Sequence, residues 1–256
     1  MDQARAVSTP LNETHLVKCT DEKELNKARR TLYQSIVGSI MWAAMSVRPD
    51  LAFTAGYLSR FSSNPSEEHL KAAKRALAYI KGSKGLTLLL GNASKDQDHL
   101  IGYSDSDYGG DLETRRSTTG HCFKFRGSLI SWGSTRQSTV ATSTCEAEYM
   151  ALTEATKEAI WLCRMLEEMN VKVAKPITLC CDNQGALALA ANPGRHKRTK
   201  HIDIRYHYIR ECVDLKLVAL KHVGTNDQAA DALTKALQAT KHEHACSQLN
   251  LVQLAT

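Results

Sequence analysis

The eight cysteines of this chain include no C-x-x-C pair, and Cys180 and Cys181 are immediate neighbours. That spacing supports neither a disulfide framework nor a zinc ribbon, and it suits reduced thiols in an intracellular setting. Long apolar runs are missing as well. The greasiest stretch, Ser35 to Val47, is shorter than the roughly 20 residues that a membrane span needs, so it reads as a buried helix. The opening residues, MDQARAVSTPLNETHLVKC, lack the apolar core of a secretory leader. Neither an internal repeat nor a low-complexity segment is present.

What is there is ordinary globular material. The 256 residues are 43% hydrophobic and 23% charged, enough for one large or two small domains. A net charge of +6 favours anionic partners, nucleic acid among them, without requiring one.

The first third reads as helical, with long apolar periodicity from Lys23 to Val47 and a fresh start after Pro49. In NPSEEHLKAAKRALAYIKGS, Asn64 is placed to cap, Pro65 suits the first turn, and Glu67 is placed as a capping-box partner. From about residue 86 the pattern changes to short strands: GLTLLLG, HLIGYSD, GHCFKFRG and SLISWGS. A long helix is expected from Thr144 to Asn170, then a buried strand, PITLCCD, and a short helix, NQGALALAA. An amphipathic helix follows, then the alternating strand LKLVALKHV. A last helix is expected over TNDQAADALTKAL, with Thr225 and Gln228 at capping-box spacing. This order argues for an α/β fold, a mixed sheet with helices packed on it and a helical module in front.

Acidic residues are poor strand formers, yet HLIGYSDSDYGGD runs from an apolar alternation straight into Asp105, Asp107 and Asp111. Asp182 ends the strand PITLCCD, at the carboxyl edge where open α/β sheets place ligands. Asp231 falls in the second turn of the expected last helix. The long helix offers Glu146 and Glu148, which lie on nearly opposite sides of it. Glu148 shares a stripe with Leu152, Ala155, Ala159, Leu162 and Leu166, so it is expected to face the sheet and Glu146 to face away.

Each acid alone has a plain structural reading. Asp105 can serve a turn, Asp182 a helix cap with Asn183, and Asp231 an exposed helix surface. If Asp105, Glu148, Asp182 and Asp231 converge, four like charges repel, and divalent cations relieve them. Oxygen-only ligands favour Mg²⁺ or Mn²⁺ over zinc. Two such ions about 4 Å apart can activate a water and stabilise a leaving oxygen in phosphodiester cleavage.

Five segments carry a closer likeness: YSDSDYGGDLETRRSTTGHCFKF, ISWGSTRQSTVATSTCEAEYMAL, CDNQGALALAANP, RTKHIDIRYHYIRE and DQAADALTKAL. Together they resemble the ribonuclease H domain of copia-type retrotransposon Pol polyproteins. The helical leader from about Thr31 resembles the segment that joins that family's reverse transcriptase to its ribonuclease H. The resemblance implies a ribonuclease H-like mixed five-stranded sheet with flanking helices, behind a helical connector. It also implies hydrolysis of the RNA strand of RNA–DNA hybrids by two Mg²⁺ (or Mn²⁺) ions, during retrotransposon reverse transcription. Carried over by motif, the catalytic and metal-binding acids are Asp105 in SDSD, Glu148 in EAEY, Asp182 in CDN and Asp231 in AADALTK.

The implied domain plan is a connector over 1–95, the ribonuclease H domain over 96–240, and a tail over 241–256. The implied partners are the hybrid and the fingers and palm of the same polyprotein, in cytoplasmic virus-like particles or, for a host-adopted copy, the nucleus. A non-enzymatic nucleic-acid-binding module is the alternative.

Other signals are read more plainly. Arg195, Lys197, Arg198 and Lys200 form either a solvated basic loop or a phosphate grip. Arg115 and Arg116 serve either turn formation or substrate contact. His222 is expected on its strand in a structural role, and HEHAC in a frayed terminal helix. The adjacent-aspartate signature of a polymerase palm is absent.

Overall fold

The computed structural model describes residues 5–12, 15–19, 25–91, 99–191 and 200–254, the side chains of 200–206 excepted. Asn26 starts the first helix, α1 (Lys27–Ser46), by accepting the Arg29 N–H at 3.0 Å. One face of α1 buries Tyr33, Ile36, Val37, Ile40 and Ala44, at the three-to-four-residue spacing that makes a stripe. It packs with α2 (Ala52–Ser59) and α3 (Glu67–Gly82) around a core of their own, which includes Leu51, Leu58, Leu70 and Ala73.

The start of α3 differs from expectation. Ser66, not Asn64, is the cap, and the His69 imidazole rather than Glu67 closes the box, with Nδ1 accepting the Ser66 N–H at 2.8 Å. Pro65 precedes the helix instead of opening it.

After β1 (Leu86–Leu88) comes an antiparallel run of β2 (His99–Ser106), β3 (Thr118–Phe125) and β4 (Ser128–Arg136). Next are α4 (Thr144–Glu168), β5 (Ala174–Cys181), α5 (Gln184–Ala191), α6 (Lys200–Asp214) and β6 (Val218–His222). The five-stranded sheet has the order β4-β3-β2-β5-β6, with β2–β5 and β5–β6 parallel. This is the ribonuclease H-like mixed sheet that was expected, with α4 laid over its centre. Leu152, Ala155, Ala159, Leu162 and Leu166 of α4 meet Leu100, Phe123, Ile177 and Leu179 of the strands in one buried core.

The expected last helix does not form as one piece. Two 3₁₀ turns, Thr225–Asp227 and Asp231–Leu233, take its place, so Asp231 opens a turn rather than standing in a second helical turn. Gln228 is the physical cause. Its buried amide donates to the Ser104 carbonyl of β2 at 2.9 Å, and its Oε1 accepts the Ala230 N–H at 3.3 Å, so it braces the sheet instead of capping a helix. The turn lies tight on β3: a Cβ at Gly120 would sit 2.7 Å from a Thr234 methyl and 2.8 Å from the Leu233 Cβ.

Nor is HEHAC frayed. It belongs to α7 (Ala239–Gln248), whose His242 and Cys246 are buried, and β7 (Leu251–Gln253) pairs antiparallel with β1. At this junction Arg48 donates to both oxygens of Asp50, at 2.9 and 2.7 Å, and the Tyr79 hydroxyl donates to Asp50 Oδ2 at 2.7 Å. The Tyr79 proton being thus engaged, His242 Nε2–H donates to the Tyr79 oxygen, 3.0 Å away. The helical module also grips the sheet at its β4 side, where Trp132 Nε1 donates to the Ala44 carbonyl at 2.7 Å.

Candidate active site

The sheet's register brings the first two acids together. Tyr103 of β2 lies opposite Cys180 of the parallel neighbour β5, so continuing by two residues sets Asp105 beside Asp182. Parallel neighbours are about 4.8 Å apart, which makes these two carboxylates adjacent at the carboxyl edge of the sheet. Glu148 descends onto them from the second turn of α4. Its Oε1 accepts the Ser106 N–H at 3.3 Å, and a carboxylate oxygen of Glu148 lies within 4.8 Å of an Asp182 oxygen and of Cys181 Sγ. Asp231 reaches the group from the 3₁₀ turn, and its charge is felt at Asp105.

The three acids of the opening stretch take separate tasks. Asp105 is buried, and its Oδ2 accepts the Thr234 hydroxyl at 2.6 Å. Asp107 accepts the Thr118 N–H and ties the β2–β3 loop to the start of β3. Asp111 pairs with Arg60 of the helical module at 3.2 Å and Arg136 at 2.7 Å, and also accepts the Thr114 N–H at 2.9 Å. Those bonds and charges hold its carboxyl below the usual range in spite of the burial that pushes the other way.

Burial dominates the electrostatics of the centre. It pushes the Asp105 carboxyl up, with Asp231 and Asp182 adding to the rise and Lys235 and the Thr234 hydroxyl opposing it. Glu148 is also raised, first by burial, then by the charges of Asp105 and Asp182. Burial and the Glu148 charge push the Cys181 thiol far up, so Cys181 stays a neutral S–H donor, 3.9 Å from Glu148 Oε2. Among the described residues, the donor set left for a cation is therefore carboxylate oxygen, crowded and offset by Lys235. That chemistry fits Mg²⁺ or Mn²⁺.

Several contributors escaped the sequence reading. Thr234 and Lys235 stand three and four residues after Asp231, and Lys235 forms an ion pair with it; the i, i+4 acid–lysine spacing was the available signal. Thr225 donates to Asp182 Oδ2 at 3.2 Å. Glu146 is buried away from the acid cluster, and its Oε2 accepts the Thr142 N–H at 2.7 Å. With the Glu146 N–H donating to Ser143 Oγ at 3.1 Å, this is the S-x-x-E signature of a helix start.

His222 ends β6 as expected, exposed, its Nε2 3.2 Å from the Asp182 carbonyl oxygen. Arg115 adopts a left-handed φ of 54° and its N–H donates to the Asp111 carbonyl at 2.7 Å, while the Arg116 carbonyl accepts the Asp111 N–H at 3.2 Å. Their backbones thus close the β2–β3 loop and leave the Arg115 side chain exposed. Arg195, Lys197 and Arg198 lie outside the described residues, as does the side chain of Lys200. Among the described residues no helix is long and apolar enough to cross a membrane.

No protein-family model matches the chain. It is 43% identical over 248 residues to the retrovirus-related Pol polyprotein from transposon TNT 1-94 of Nicotiana tabacum, covering 95% of this chain and 18% of that one. It is 37% identical over 256 residues to the corresponding polyprotein from transposon RE1 of Arabidopsis thaliana, covering 99% and 17%. The chain thus spans less than a fifth of the length of these curated relatives. Among solved structures, LC11 ribonuclease H1 isolated from compost aligns with a TM-score of 0.41 at 14% identity, over 54% of this chain and 94% of that one. By its relatives, the chain belongs to the Pol polyproteins of copia-type retrotransposons.

Proposed function

We propose that this chain is an endoribonuclease that hydrolyses the RNA strand of RNA–DNA hybrids during retrotransposon reverse transcription. The reading rests on Glu148 lying beside Asp182, on the charges of Asp182 and Asp231 acting on buried Asp105, and on Lys235 as the one cation that faces them among the described residues. In this reading Asp105, Glu148, Asp182 and Asp231 hold two divalent cations, Mg²⁺ or Mn²⁺. Such ions supply charge to stabilise the leaving oxygen and lower the pKa of an attacking water.

The chain's own groups set the geometry. Thr234 fixes the rotamer of Asp105, Thr225 that of Asp182, and the Ser106 N–H that of Glu148. The buried Cys181 thiol keeps water from one side of Glu148. Arg115 and Arg116, together with Arg195, Lys197, Arg198 and Lys200, contact the phosphates of the hybrid. Preference for RNA comes from contacts to its 2′-hydroxyls and from the groove shape of the hybrid.

Residues 1–95 are the connector to the polymerase portion of the same polyprotein, and 96–240 are the nuclease domain. In this reading α7 and β7 secure the connector to the nuclease. The work is done where the element's reverse transcription occurs, in virus-like particles.

The test is cleavage of a labelled RNA–DNA hybrid with Mg²⁺ or Mn²⁺, beside duplex DNA, duplex RNA and single strands. The chain should cut only the RNA of the hybrid, and Asp182→Asn should lose at least about a thousandfold in rate while melting as the parent does. Full activity in that variant would remove Asp182 from the mechanism. Binding of the hybrid with no cutting by either protein would favour a non-enzymatic binding module.

A further inference from the structure

Asp105 and Asp182 are each steadied by a threonine, but the two threonines stand in unlike places. Thr234, which donates to Asp105 Oδ2 at 2.6 Å, is fully buried and is fixed by its packing. Thr225, which donates to Asp182 Oδ2 at 3.2 Å, belongs to the 3₁₀ turn Thr225–Asp227, all of it exposed. An exposed turn with no buried side chain opens readily unless something outside it holds it.

That hold comes from α7. His244 Nε2 is 2.9 Å from the Asn226 carbonyl oxygen, and Gln248 Nε2 donates to the same oxygen at 2.8 Å. A carbonyl can only accept, so the His244 nitrogen carries a proton and both groups are donors. Together they use both lone pairs of that oxygen. His244 and Gln248 are four residues apart and share one face of the helix. The helix is itself anchored: Ala245 and Leu249 are buried in one cluster with Ala230 and Leu233, and His242 is bonded to Tyr79. A cleft of about 400 Å³ lies between α7 and the two turns, with Asp231, Thr240 and Lys241 among its walls. Close packing therefore does not set where the Thr225 turn stands; the two hydrogen bonds do.

We propose that α7 is an integral part of the candidate active site: His244 and Gln248 clamp the Asn226 carbonyl, and through Thr225 that clamp fixes the Asp182 carboxylate. This rests on the role given to Asp182 above. His244 and Gln248 are positioning residues, since they act through Thr225 rather than on the reacting atoms. The Nε2–H of His244 donates whether the ring is neutral or charged, so the clamp involves no titration of the imidazole.

The experiment compares the full chain as wild type, as the double variant His244→Phe with Gln248→Met, and as His244→Gln. The double variant keeps bulk without a donor, whereas His244→Gln keeps a donor. In the metal-free protein, hydrogen exchange is followed at the Asp227 N–H, which donates to the Gly224 carbonyl at 2.8 Å. Exchange there should quicken roughly tenfold in the double variant, with β6 unchanged, and should stay as in wild type in His244→Gln. In cleavage of a labelled hybrid, the double variant should lose roughly tenfold to a hundredfold in kcat at unchanged KM. His244→Gln should keep most of the parental kcat, and its pH–rate profile should keep the parental shape.

Unchanged exchange at Asp227 in the double variant would overturn the proposal. So would a lower melting temperature with kcat intact, because α7 would then serve stability alone. A shifted pH–rate profile in His244→Gln would overturn it too, because the imidazole would then be moving a proton. A wild type that cuts no hybrid would instead fail the nuclease reading, and the exchange comparison would still decide whether α7 holds the turn.

Discussion

Among the described residues, two clusters gather metal-ligand side chains within the same distance, and they behave as opposites. At the sheet's carboxyl edge, ligand atoms of Glu148, Cys181 and Asp182 lie within 4.8 Å of one another; at the junction with α7, those of Asp50, His242 and Cys246 do so too. Proximity alone cannot separate them. Charge does. Asp50 is met by both arms of the Arg48 guanidinium and by the Tyr79 hydroxyl, and His242 completes the chain by donating to Tyr79. Arg48 spends a remaining donor on Ser83 Oγ at 2.8 Å. That network is neutral and closed, so it works as a staple between the helical module and the C-terminal helix. Among the described residues, the sheet-edge cluster has four acids and one lysine, so it is open to a cation.

The largest test of this contrast replaces one acid in each cluster by its amide. Asp105→Asn should lower hybrid cutting by at least about a thousandfold, yet raise metal-free stability at pH 8 by about 1–2 kcal/mol, because a buried like charge is gone. Asp50→Asn should do the reverse. It leaves Arg48 buried without its counter-ion and should lose about 3–5 kcal/mol in denaturant unfolding, while molecules that stay folded cut at the parental rate. Two substitutions that shift stability the same way would erase the distinction.

A smaller effect appears in the pH dependence of the metal-free protein. Burial and neighbouring acids raise Asp105 to about 6 and Glu148 to about 9, above their unfolded values. The folded state then binds their protons more tightly than the unfolded state. Stability contributed by the two groups is complete below the ordinary carboxylate range and is lost as pH rises through about 6 and then about 9. Melting temperature in a chelator should therefore decline from pH 5 to pH 9, and saturating Mg²⁺ should flatten the slope. A metal-free slope that rises over that range would contradict the raised carboxyl groups.

What could be seen in the sequence follows from how local each signal is. Glu148 was legible because a helix has a fixed period, and the stripe through Leu152 and Leu166 points where its second turn must point. Asp105 and Asp182 were legible because each closes an apolar strand. The burial of Glu146 was not legible from that period, because in the first turn the Thr142 N–H holds its carboxylate back toward the chain's approach. The last helix failed for a non-local reason: the Gln228 amide bonds the Ser104 carbonyl, a partner 124 residues earlier. The junction staple was invisible on the same ground, since Tyr79 and His242 are 163 residues apart. Lys235 carried a local signal of its own, its four-residue spacing from Asp231.

The smallest expected effect bears most directly on whether charge balance, rather than ligand type, decides where a metal binds. His242 and Cys246 stand four apart on one helix beside Asp50, an arrangement whose ligand types would suit Zn²⁺. An entering Zn²⁺ would have to displace the Arg48 guanidinium from Asp50 or sit against it, and would need the Cys246 thiol, which burial pushes up to about 12, to give up its proton. Either step opposes binding. His242→Gln keeps a donor for the Tyr79 oxygen and should lower stability by about 1 kcal/mol, the worth of one neutral hydrogen bond with imperfect reach. Added Zn²⁺ should then shift the melting temperature of wild type and His242→Gln by the same amount, since whatever it binds is not the junction. A Zn²⁺ stabilisation that disappears with His242 would make the staple a metal site and show that three ligands within reach can outweigh a balanced ion pair.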